Sequence, residues 1–390
     1  MKDMPEGFLL SSGGSDAFEA LATAELVPAD AENKLHHKKL YLVLDLDETL
    51  VYSKRMEDPM ATPAGHKIFV RGQPFDMVLR PGLQHFLRMA VSNYIVFLYT
   101  MGDEDYTRAV LRIIDPESNF FRGGICCWRQ SESRHHKSLT RVVCDRRMAL
   151  IVDDSIDVWS EDLSNLCLTR RFVGDKLDDG LQLLCGQLFG LHREFFANAP
   201  SEGWSYEAAA SGTLRAAPRV QSVLHTQRGQ LLAGCTIALT GVVTDQKEDT
   251  LEQQPLCVLI KHYGGELTLS VDAATHLVAR RKEGWQKSPK INRALQRQQA
   301  GATGFYVVWD HWLLDTLATW QKQNEESYAV RLDDERGDSP PPTSLFSQQL
   351  EGVAKAITAD VENLETVSDL VPPRKRLREE GVAFEQVVTH

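Results

Sequence analysis

Residues 40–53 read Leu-Tyr-Leu-Val-Leu-Asp-Leu-Asp-Glu-Thr-Leu-Val-Tyr-Ser, the most informative stretch of the chain. It begins with an apolar, β-prone run, which is typical of a parallel strand buried on both faces. Asp45 and Asp47 follow directly, and Thr49 comes two residues later. Ligands of open α/β sheets bind just beyond the carboxyl ends of such strands. The stretch therefore predicts a pair of carboxylates at the edge of a parallel sheet.

The two carboxylates repel each other unless a positive group holds them. A hard cation such as Mg²⁺ suits this pair, because it prefers oxygen ligands and keeps several of its waters. One carboxylate can then attack phosphorus to form an aspartyl-phosphate, and the other can move the proton of the leaving oxygen. An acidic, solvated turn is the alternative for an isolated Asp-x-Asp, because short motifs also occur by chance.

Composition limits the class of protein. At 390 residues, with 43% apolar and 25% charged residues, the chain has the composition of a soluble globular protein of two or three domains. Its formal net charge of −11 argues against nucleic-acid binding through bulk electrostatics. The seven cysteines form no Cys-x-x-Cys pair, which favours reduced, buried thiols of an intracellular protein. We expect no signal peptide and no membrane span, because the first residues are acidic and the charge-free runs are short.

Composition also changes along the chain and predicts five segments. Strand-like runs alternate with amphipathic stretches in two places, which predicts two α/β domains. A stretch rich in Ala, Ser, Gly and Pro separates them. The predicted segments are a flexible N-terminal arm over residues 1–35, an α/β domain over 36–198, a linker over 199–228, a second α/β domain over 229–325 and a tail over 326–390.

The tail carries two features of its own. Apolar residues at gaps of three or four from Phe346 to Leu364 predict an amphipathic helix, which either docks on a partner or packs on its own domain. Residues 374–378 read Arg-Lys-Arg-Leu-Arg, a basic cluster in an otherwise acidic tail. Such a cluster is either a nuclear-import signal or solvated charge, and we favour import.

Further polar side chains lie near the ends of the other strands in the first domain. Thr100 follows one strand, Asp153 and Asp154 follow another, and Lys137 precedes the latter. Each residue alone is ordinary, but together they supply the hydroxyl, cation and carboxylate that a phosphoryl-transfer site needs. The clearest strands are predicted over residues 40–45, 94–99 and 148–152.

This order of motifs resembles that of the haloacid dehalogenase superfamily of phosphotransferases: Asp-x-Asp-x-Thr, a strand ending in Thr, a Lys and a late pair of acids. The chain is more closely similar to phosphatases of the RNA polymerase II C-terminal domain. The stretches that carry this closer resemblance are residues 37–51, 79–82, 99–102, 152–154 and 157–159.

The resemblance implies a role for each residue of the set. Asp45 would be the nucleophile that becomes phosphorylated, and Asp47 would be the general acid and then the base for the attacking water. Thr100 and Lys137 would hold the transferring phosphoryl group. Arg129 would contact the substrate phosphate.

The resemblance also implies a metal site. Mg²⁺ would be bound by Asp45, by Asp154 and by the backbone carbonyl of Asp47, while Asp153 would support Lys137. The interval before Lys137 lacks the long insertion of larger relatives, which implies a more open substrate groove.

The second domain resembles a BRCT domain, which BRCT-bearing members of this phosphatase family place after the catalytic domain. Some BRCT domains bind phosphoserine through a hydroxyl, a backbone N–H and a Lys, and the matching residues here are Thr240, Gly241 and Lys290. A packing domain without a ligand is the alternative. The resemblance rests on the turn Gly264-Gly265, the strand-like run at 274–279 and Trp312 in a last helix. A strand-like run at 236–241 and a helix starting at Ser288-Pro289 are also predicted in this domain.

The fold class that follows is α/β, with a haloacid-dehalogenase-like parallel-sheet phosphatase domain, a small α/β BRCT domain and a flexible tail. The implied function is that of a nuclear, Mg²⁺-dependent phosphoserine/phosphothreonine protein phosphatase. Its expected substrate is the phosphorylated RNA polymerase II C-terminal domain or an associated transcription protein, with neither a membrane nor a direct nucleic-acid partner.

Two alternatives remain open. One is the same chemistry on another phosphoprotein or on a nucleic-acid 3′-phosphate. The lack of a basic patch argues against the nucleic-acid substrate. The other is a BRCT scaffold with an inactive phosphatase fold, against which the complete set of motif residues argues.

Overall fold

The computed structural model describes residues 30–128, 136–198, 219–243, 248–282 and 284–331. All of these described residues belong to one compact unit. Arg129, the helix proposed for the tail and the basic cluster at 374–378 lie outside the described residues, as does most of the N-terminal arm.

Strands and helices alternate along the described residues. The strands are β1 Leu40–Leu44, β2 Val51–Arg55, β3 His66–Val70, β4 Gln73–Leu79, β5 Tyr94–Tyr99, β6 Gly124–Cys126, β7 Ala149–Asp153, β8 Leu166–Leu168, β9 Thr236–Thr240, β10 Glu266–Leu267, β11 His276–Ala279 and β12 Tyr306–Trp309. The helices are α1 Leu83–Asn93, α2 Glu104–Ile114, α3 Gly180–Asn198, α4 Val220–Arg228, α5 Glu248–Leu251, α6 Pro255–His262, α7 Pro289–Gln299 and α8 Asp310–Thr319. A further helical segment covers residues 30–36.

The central sheet has five parallel strands in the order β6-β5-β1-β7-β8. β1 lies in the middle and is buried along its whole length, as expected for a strand covered on both faces. The three strands predicted from the sequence are confirmed, with ends that agree to within one residue. Because the strands run the same way, the residues that follow β1, β5 and β7 meet at one edge of the sheet.

A three-stranded antiparallel sheet in the order β2-β4-β3 follows the acidic loop, and the sequence did not predict it. Val51 pairs with Leu79, and His66 pairs with Met77. Many residues of these strands are exposed or half-buried, so no continuous apolar run marks them. The sheet brings β2 beside the acidic loop.

A second parallel sheet has four strands in the order β10-β9-β11-β12. The strands predicted near 236–241 and 274–279 are confirmed, and α7 begins at Pro289 as predicted. Trp312 is 0% exposed and its Nε1 donates to the backbone oxygen of Gln323 at 3.0 Å. This is the small α/β domain that the sequence led us to expect.

The turn at Gly264 requires glycine. Its φ of +85° lies in the left-handed region, which residues with a Cβ rarely adopt. A Cβ there would also lie 2.3 Å from the backbone oxygen of Gly229. The turn therefore explains the Gly-Gly pair in the sequence.

The two α/β parts of the compact unit pack on each other; we call residues 30–198 the first region and residues 229–331 the second region. Helix α4, between them, falls inside the predicted linker, but Val220, Val223 and Leu224 are buried and Val220 N donates to Arg147 O at 2.8 Å. Residues 220–228 are therefore a packed helix, and the earlier part of the linker, outside the described residues, stays a prediction.

The second region also extends past its predicted end at residue 325. Val330 N donates to Val307 O at 2.9 Å, and Ala329 pairs with Val308 in an antiparallel bridge. Among the described residues, no helix is long and apolar enough to cross a membrane. All seven cysteines of the chain lie in the described residues, and each is buried as a thiol outside any disulfide.

Candidate active site

The loop after β1 places Asp45 and Asp47 at the carboxyl edge of the central sheet. Asp45 N donates to Val152 O at 2.9 Å, so this residue continues the pairing of β1 with β7. The chain then turns at Glu48, whose φ is +60°. The turn leaves both aspartate side chains facing the residues that follow β5 and β7.

Lys137 lies between two carboxylates. Its Nζ is 2.6 Å from Asp45 Oδ1 and 2.6 Å from Asp153 Oδ2, and its side chain is 2% exposed. Burial acts to lower the pKa of Lys137, but the charges of Asp153 and Asp45 outweigh it and raise that pKa above its ordinary value. Lys137 therefore carries a fixed positive charge at the centre of the site.

Asp153 holds this lysine and is itself held from the other side. Trp159 Nε1 donates to Asp153 Oδ2 at 2.8 Å, and Ser155 N donates to Asp153 Oδ1 at 2.8 Å. Both carboxylate oxygens are thereby fixed. This geometry agrees with the expectation from sequence that Asp153 supports Lys137.

Asp45, Asp153 and Asp154 form a carboxylate cluster in which one oxygen of each lies within 4.8 Å of the others. Burial and the charge of Asp153 raise the pKa of Asp45 well above its usual range. The same two causes raise the pKa of Asp154 to about 6. Crowded carboxylates favour a bound cation, and a set of oxygen donors fits a hard divalent ion.

Asp47 is held by two hydroxyl groups. Tyr106 OH donates to Asp47 Oδ1, and Thr100 Oγ1 donates to Asp47 Oδ2 at 3.2 Å. Tyr106 OH also lies 2.8 Å from Ser53 Oγ of β2. Burial raises the pKa of Asp47, while the hydrogen bonds from Tyr106 and Thr100 act to lower it. A carboxyl group with a raised pKa and a fixed orientation suits acid–base catalysis.

Arg80 supports the acidic loop from below and is 1% exposed. Its Nε donates to Asp178 Oδ1 at 2.6 Å, and its Nη1 donates to Thr49 O at 3.0 Å. Gly180 makes room for it, because a Cβ on Gly180 would lie 2.1 Å from Arg80 Nη2. Arg80 thus joins three parts of the chain beneath the site.

Arg171 lies on the outer side of the carboxylate cluster. Its Nε is 2.8 Å from Asp154 Oδ2 and 3.0 Å from Glu48 Oε2, and its side chain is 60% exposed. The guanidinium therefore pairs with one oxygen of Asp154.

The structure brings together five of the residues chosen from sequence: Asp45, Asp47, Thr100, Lys137 and Asp154, with Asp153 behind them. Sequence reasoning missed Tyr106 and Arg171, since neither belongs to a motif and each reaches the site from a distant element. Trp159 belongs to a stretch that carried the family resemblance, but its hydrogen bond to Asp153 was not foreseen.

The second region has a pocket of about 310 Å³ at the end of β9. Thr240 and Gly241, chosen from sequence, line it together with Arg280, Lys282 and Lys287. Lys290 Nζ instead donates to Leu239 O at 3.3 Å. The pocket therefore carries more positive charge than the three residues chosen from sequence would supply.

Known proteins resemble this chain in sequence and in fold. The sequence model of the family described as NLI interacting factor-like phosphatase matches residues 40–196. RNA polymerase II C-terminal domain phosphatase-like 4 of Arabidopsis thaliana is 25% identical over 347 residues, which cover 79% of this chain and 73% of that protein. An RNA polymerase II C-terminal domain phosphatase of Caenorhabditis elegans is 25% identical over 374 residues, 87% of this chain. The chain spans 53% of the length of that nematode relative.

A solved structure of Fcp1, described as an essential RNA polymerase II CTD phosphatase, has a TM-score of 0.61 at 20% identity. It covers 78% of this chain and 99% of its own, so the shared fold extends over both regions. The α/β fold is the haloacid-dehalogenase-like fold expected from the sequence, and it is shared with Fcp1. The chain is thus similar in sequence and in fold to phosphatases of the RNA polymerase II C-terminal domain.

Proposed function

We propose that this protein is a Mg²⁺-dependent phosphoserine/phosphothreonine protein phosphatase that acts through an aspartyl-phosphate on the RNA polymerase II C-terminal domain. The observation that carries the proposal is the buried Lys137 between Asp45 and Asp153, with Asp154 beside them. A phosphate dianion that reaches Asp45 meets a fixed ammonium group there. Without such a group, the carboxylates would repel the substrate.

Asp45 attacks phosphorus and forms the bond of the aspartyl-phosphate, while the serine or threonine oxygen of the substrate leaves. Asp47 gives its proton to that oxygen and then takes a proton from the water that hydrolyses the intermediate. Its raised pKa supports the first of these steps, because a larger fraction of Asp47 is protonated near neutral pH.

The carboxylate cluster fits the divalent cation that this chemistry needs. Asp45, Asp154 and the backbone carbonyl of Asp47 would hold Mg²⁺, as the family resemblance implies, and Asp153 would keep Lys137 in place. When bound, the cation would neutralise charge on the phosphoryl oxygens. Thr100 would donate to a phosphoryl oxygen once substrate displaces its contact with Asp47, and Arg129 would contact the substrate phosphate.

The substrate follows from the relatives, whose names describe phosphatases of the RNA polymerase II C-terminal domain. Such a substrate supports a nuclear location for the protein, and so does the basic cluster at residues 374–378. A reporter protein fused to residues 326–390 tests the proposed nuclear localisation. We expect the reporter to accumulate in the nucleus, and a reporter that stays in the cytoplasm contradicts the proposal.

Phosphate release from a panel of substrates tests the reaction. The panel contains phosphorylated polymerase-tail peptides, unrelated phosphopeptides, a small aryl phosphate and DNA with a 3′-phosphate. We expect Mg²⁺-dependent release, fastest on the polymerase-tail peptides. Faster release from unrelated phosphopeptides or from the 3′-phosphate would contradict the proposed substrate and identify the alternative one. If no substrate of the panel releases phosphate, the result favours a scaffold with an inactive phosphatase fold.

The nucleophile is tested by Asp45→Asn, which we expect to abolish turnover because an amide does not attack phosphorus. The matched control is Asp105→Asn, since Asp105 pairs with Arg71 on the surface of the same region. Activity of Asp45→Asn at the wild-type level, or full activity in chelator, contradicts the mechanism.

We further propose that the pocket of the second region binds a phosphorylated peptide. Thr240 and Gly241 would contact the phosphate, and Lys282 and Lys287 would neutralise it. Lys290 is the residue that the sequence suggests for this task, so Lys290→Ala and Lys282→Ala are compared in a binding assay with phosphorylated and unphosphorylated polymerase-tail peptides. Binding of the phosphorylated form alone, weakened by Lys282→Ala, is expected, and no binding by the wild type ends this proposal.

A further inference from the structure

A salt bridge from the second region reaches the segment that borders the active site. Arg170 Nε donates to Asp315 Oδ1 of α8 at 3.0 Å, and the two side chains are only 23% and 15% exposed. Tyr328 OH donates to Asp315 Oδ2 at 2.7 Å. Both carboxylate oxygens of Asp315 therefore accept a hydrogen bond, and this fixes the orientation of the carboxylate toward Arg170.

The segment over residues 169–172, which follows β8, is tied to the acidic edge at both ends. Thr169 N donates to Asp153 O at 3.0 Å, and Phe172 N donates to Glu48 O at 2.6 Å. In this way the backbone of the segment joins the loop after β7 to the loop after β1.

Arg170 is held on its backbone as well as on its side chain. Its carbonyl oxygen accepts a hydrogen bond from Arg80 Nη2 at 2.8 Å. The Asp315 contact from the second region and the Arg80 contact from the first therefore converge on one residue.

Arg171, the next residue, pairs with Asp154 and Glu48 although its side chain is 60% exposed. Because the Arg171 side chain is exposed, packing does not fix its position. Exposed ion pairs are also weak unless the two charged groups are already held in the right geometry. The position of Arg171 therefore depends on the backbone of its segment. A hydrogen-bond partner of this kind orients a metal-binding carboxylate.

We propose that Asp315 is a positioning residue for the active site. Through Arg170 it fixes the backbone of residues 169–172 and keeps Arg171 on one oxygen of Asp154, which leaves the other oxygen oriented for the divalent cation. The second region thereby contributes to the phosphatase site without touching the substrate. The cation in this inference rests on the proposed function.

The test is Asp315→Asn in the full chain, with Mg²⁺ binding measured by calorimetry in the absence of substrate. Asparagine keeps the shape of the side chain but weakens its hold on Arg170. We expect the dissociation constant of Mg²⁺ to rise at least about threefold, short of the about 10- to 100-fold change typical when the direct partner of a metal ligand is lost. For the aryl phosphate, we expect the Mg²⁺ concentration needed for half-maximal kcat to rise by the same factor.

Arg171→Gln separates positioning from general damage. In that background Asp315→Asn should cause no further loss of Mg²⁺ affinity, because the path from Asp315 to Asp154 is already broken. Asp272→Asn is the matched control, since Asp272 pairs with Arg293 on the surface of the second region. It should bind Mg²⁺ like the wild type.

The inference is overturned if Asp315→Asn binds Mg²⁺ like the wild type, or if its effect persists unchanged beside Arg171→Gln. The Tm of each variant is recorded, and Arg170→Gln gives the same readout if Asp315→Asn does not fold. A wild-type chain that releases phosphate in Mg²⁺ but shows no effect of Asp315→Asn refutes this inference alone. A wild type that neither binds Mg²⁺ nor releases phosphate refutes both the inference and the proposed function.

Discussion

Asp47 depends on a tyrosine that the motif around it does not contain. Tyr106 comes from α2 and joins Thr100 and Ser53 in the polar group around this carboxylate. The helix is started by Asp103, whose side chain accepts a hydrogen bond from Tyr106 N at 3.0 Å. The cap of the helix and the orientation of the proposed acid–base residue Asp47 thus involve the same tyrosine.

Tyr106→Phe removes the hydroxyl that holds Asp47. A hydrogen bond to a charged group is worth about 1.5–3 kcal/mol, so we expect kcat on the aryl phosphate to fall about 10- to 100-fold with little change in KM. Steady-state kinetics measure this. Tyr306→Phe, in the second region, serves as the control, and a kcat for Tyr106→Phe equal to the wild type would contradict the assignment.

The carboxylate cluster makes stability depend on pH in a defined direction. Burial and Asp153 raise the pKa of Asp154 from 3.8 to about 6, so the folded protein holds this proton more tightly than the unfolded chain does. The stability that Asp154 contributes is therefore fully present below pH 3.8 and is lost as pH rises through about 6.

In chelator, we expect the Tm of the wild type to decrease as pH rises through this window. At pH values above this window, Mg²⁺ should restore the Tm, because the cation then takes the place of the lost protons. Asp154→Asn should show a smaller decrease, since an amide has no proton to lose. Scanning fluorimetry in matched buffers measures both, and a Tm that rises with pH for the wild type while Asp154→Asn stays flat would show that the sign is wrong.

Among the secondary-structure elements, Arg80 joins parts of the chain that are far apart in sequence. It follows β4 and reaches Thr49 in the acidic loop, Asp178 before α3 and the carbonyl of Arg170 after β8. The guanidinium suits this task because its donors point in several fixed directions.

Arg80→Ala leaves the Asp178 carboxylate and the backbone acceptors without their buried partner. Loss of one member of a buried ion pair costs about 3–5 kcal/mol, so we expect a loss of unfolding free energy of this order in urea titrations. Arg108→Ala is the control, because Arg108 pairs with Glu104 on the exposed face of α2. A similar effect of the two changes would mean that the buried network does not stabilise the acidic loop.

The sequence predicts the elements whose environment is uniform. β1, β5 and β7 are continuous apolar runs, because a central parallel strand is buried on both faces. β6 and β8 have three residues each, too few to show any periodicity. Helix α4 falls within the predicted linker although Val220, Val223 and Leu224 have helical spacing, because the Ala- and Ser-rich composition before it is typical of a linker.

The residues of the candidate site also fall into those that the sequence could predict and those that it could not. Asp45, Thr100 and Asp153 could be predicted because each lies at the end of an identifiable strand, and parallel strands bring such residues to one edge. Tyr106 and Arg171 could not, because their contacts depend on how a helix and an irregular segment fold back on the sheet. Such contacts leave no pattern in a single sequence.

At the scale of the whole molecule, a buried arginine joins the two regions. Arg228, at the end of α4, is 2% exposed and its Nη1 donates to Leu166 O of β8 at 2.6 Å. The same nitrogen lies 3.1 Å from Tyr263 OH, which donates to Leu317 O of α8 at 2.9 Å. Arg228 therefore links one strand edge of the first region to Tyr263 and α8 of the second.

We expect residues 30–331 to unfold in a single transition, because separating the regions would leave these buried polar groups without partners. Calorimetry should give a van't Hoff enthalpy equal to the calorimetric one for this part of the chain. Tryptophan fluorescence and phosphatase activity should be lost together. Two resolved transitions, or activity that outlasts the loss of Trp312 burial, would contradict this expectation.

The buried cysteines have a consequence for how the enzyme would behave under oxidative stress. Burial raises the pKa of the Cys167 thiol and of the Cys257 thiol to about 11 each, and that of the Cys185 thiol to about 12. Peroxide and alkylating agents attack the thiolate, and these thiols stay protonated at physiological pH. Because the proposed nucleophile is a carboxylate, catalysis needs no thiolate either. We therefore expect the protein's phosphatase activity to persist in peroxide that inactivates phosphatases with a catalytic cysteine.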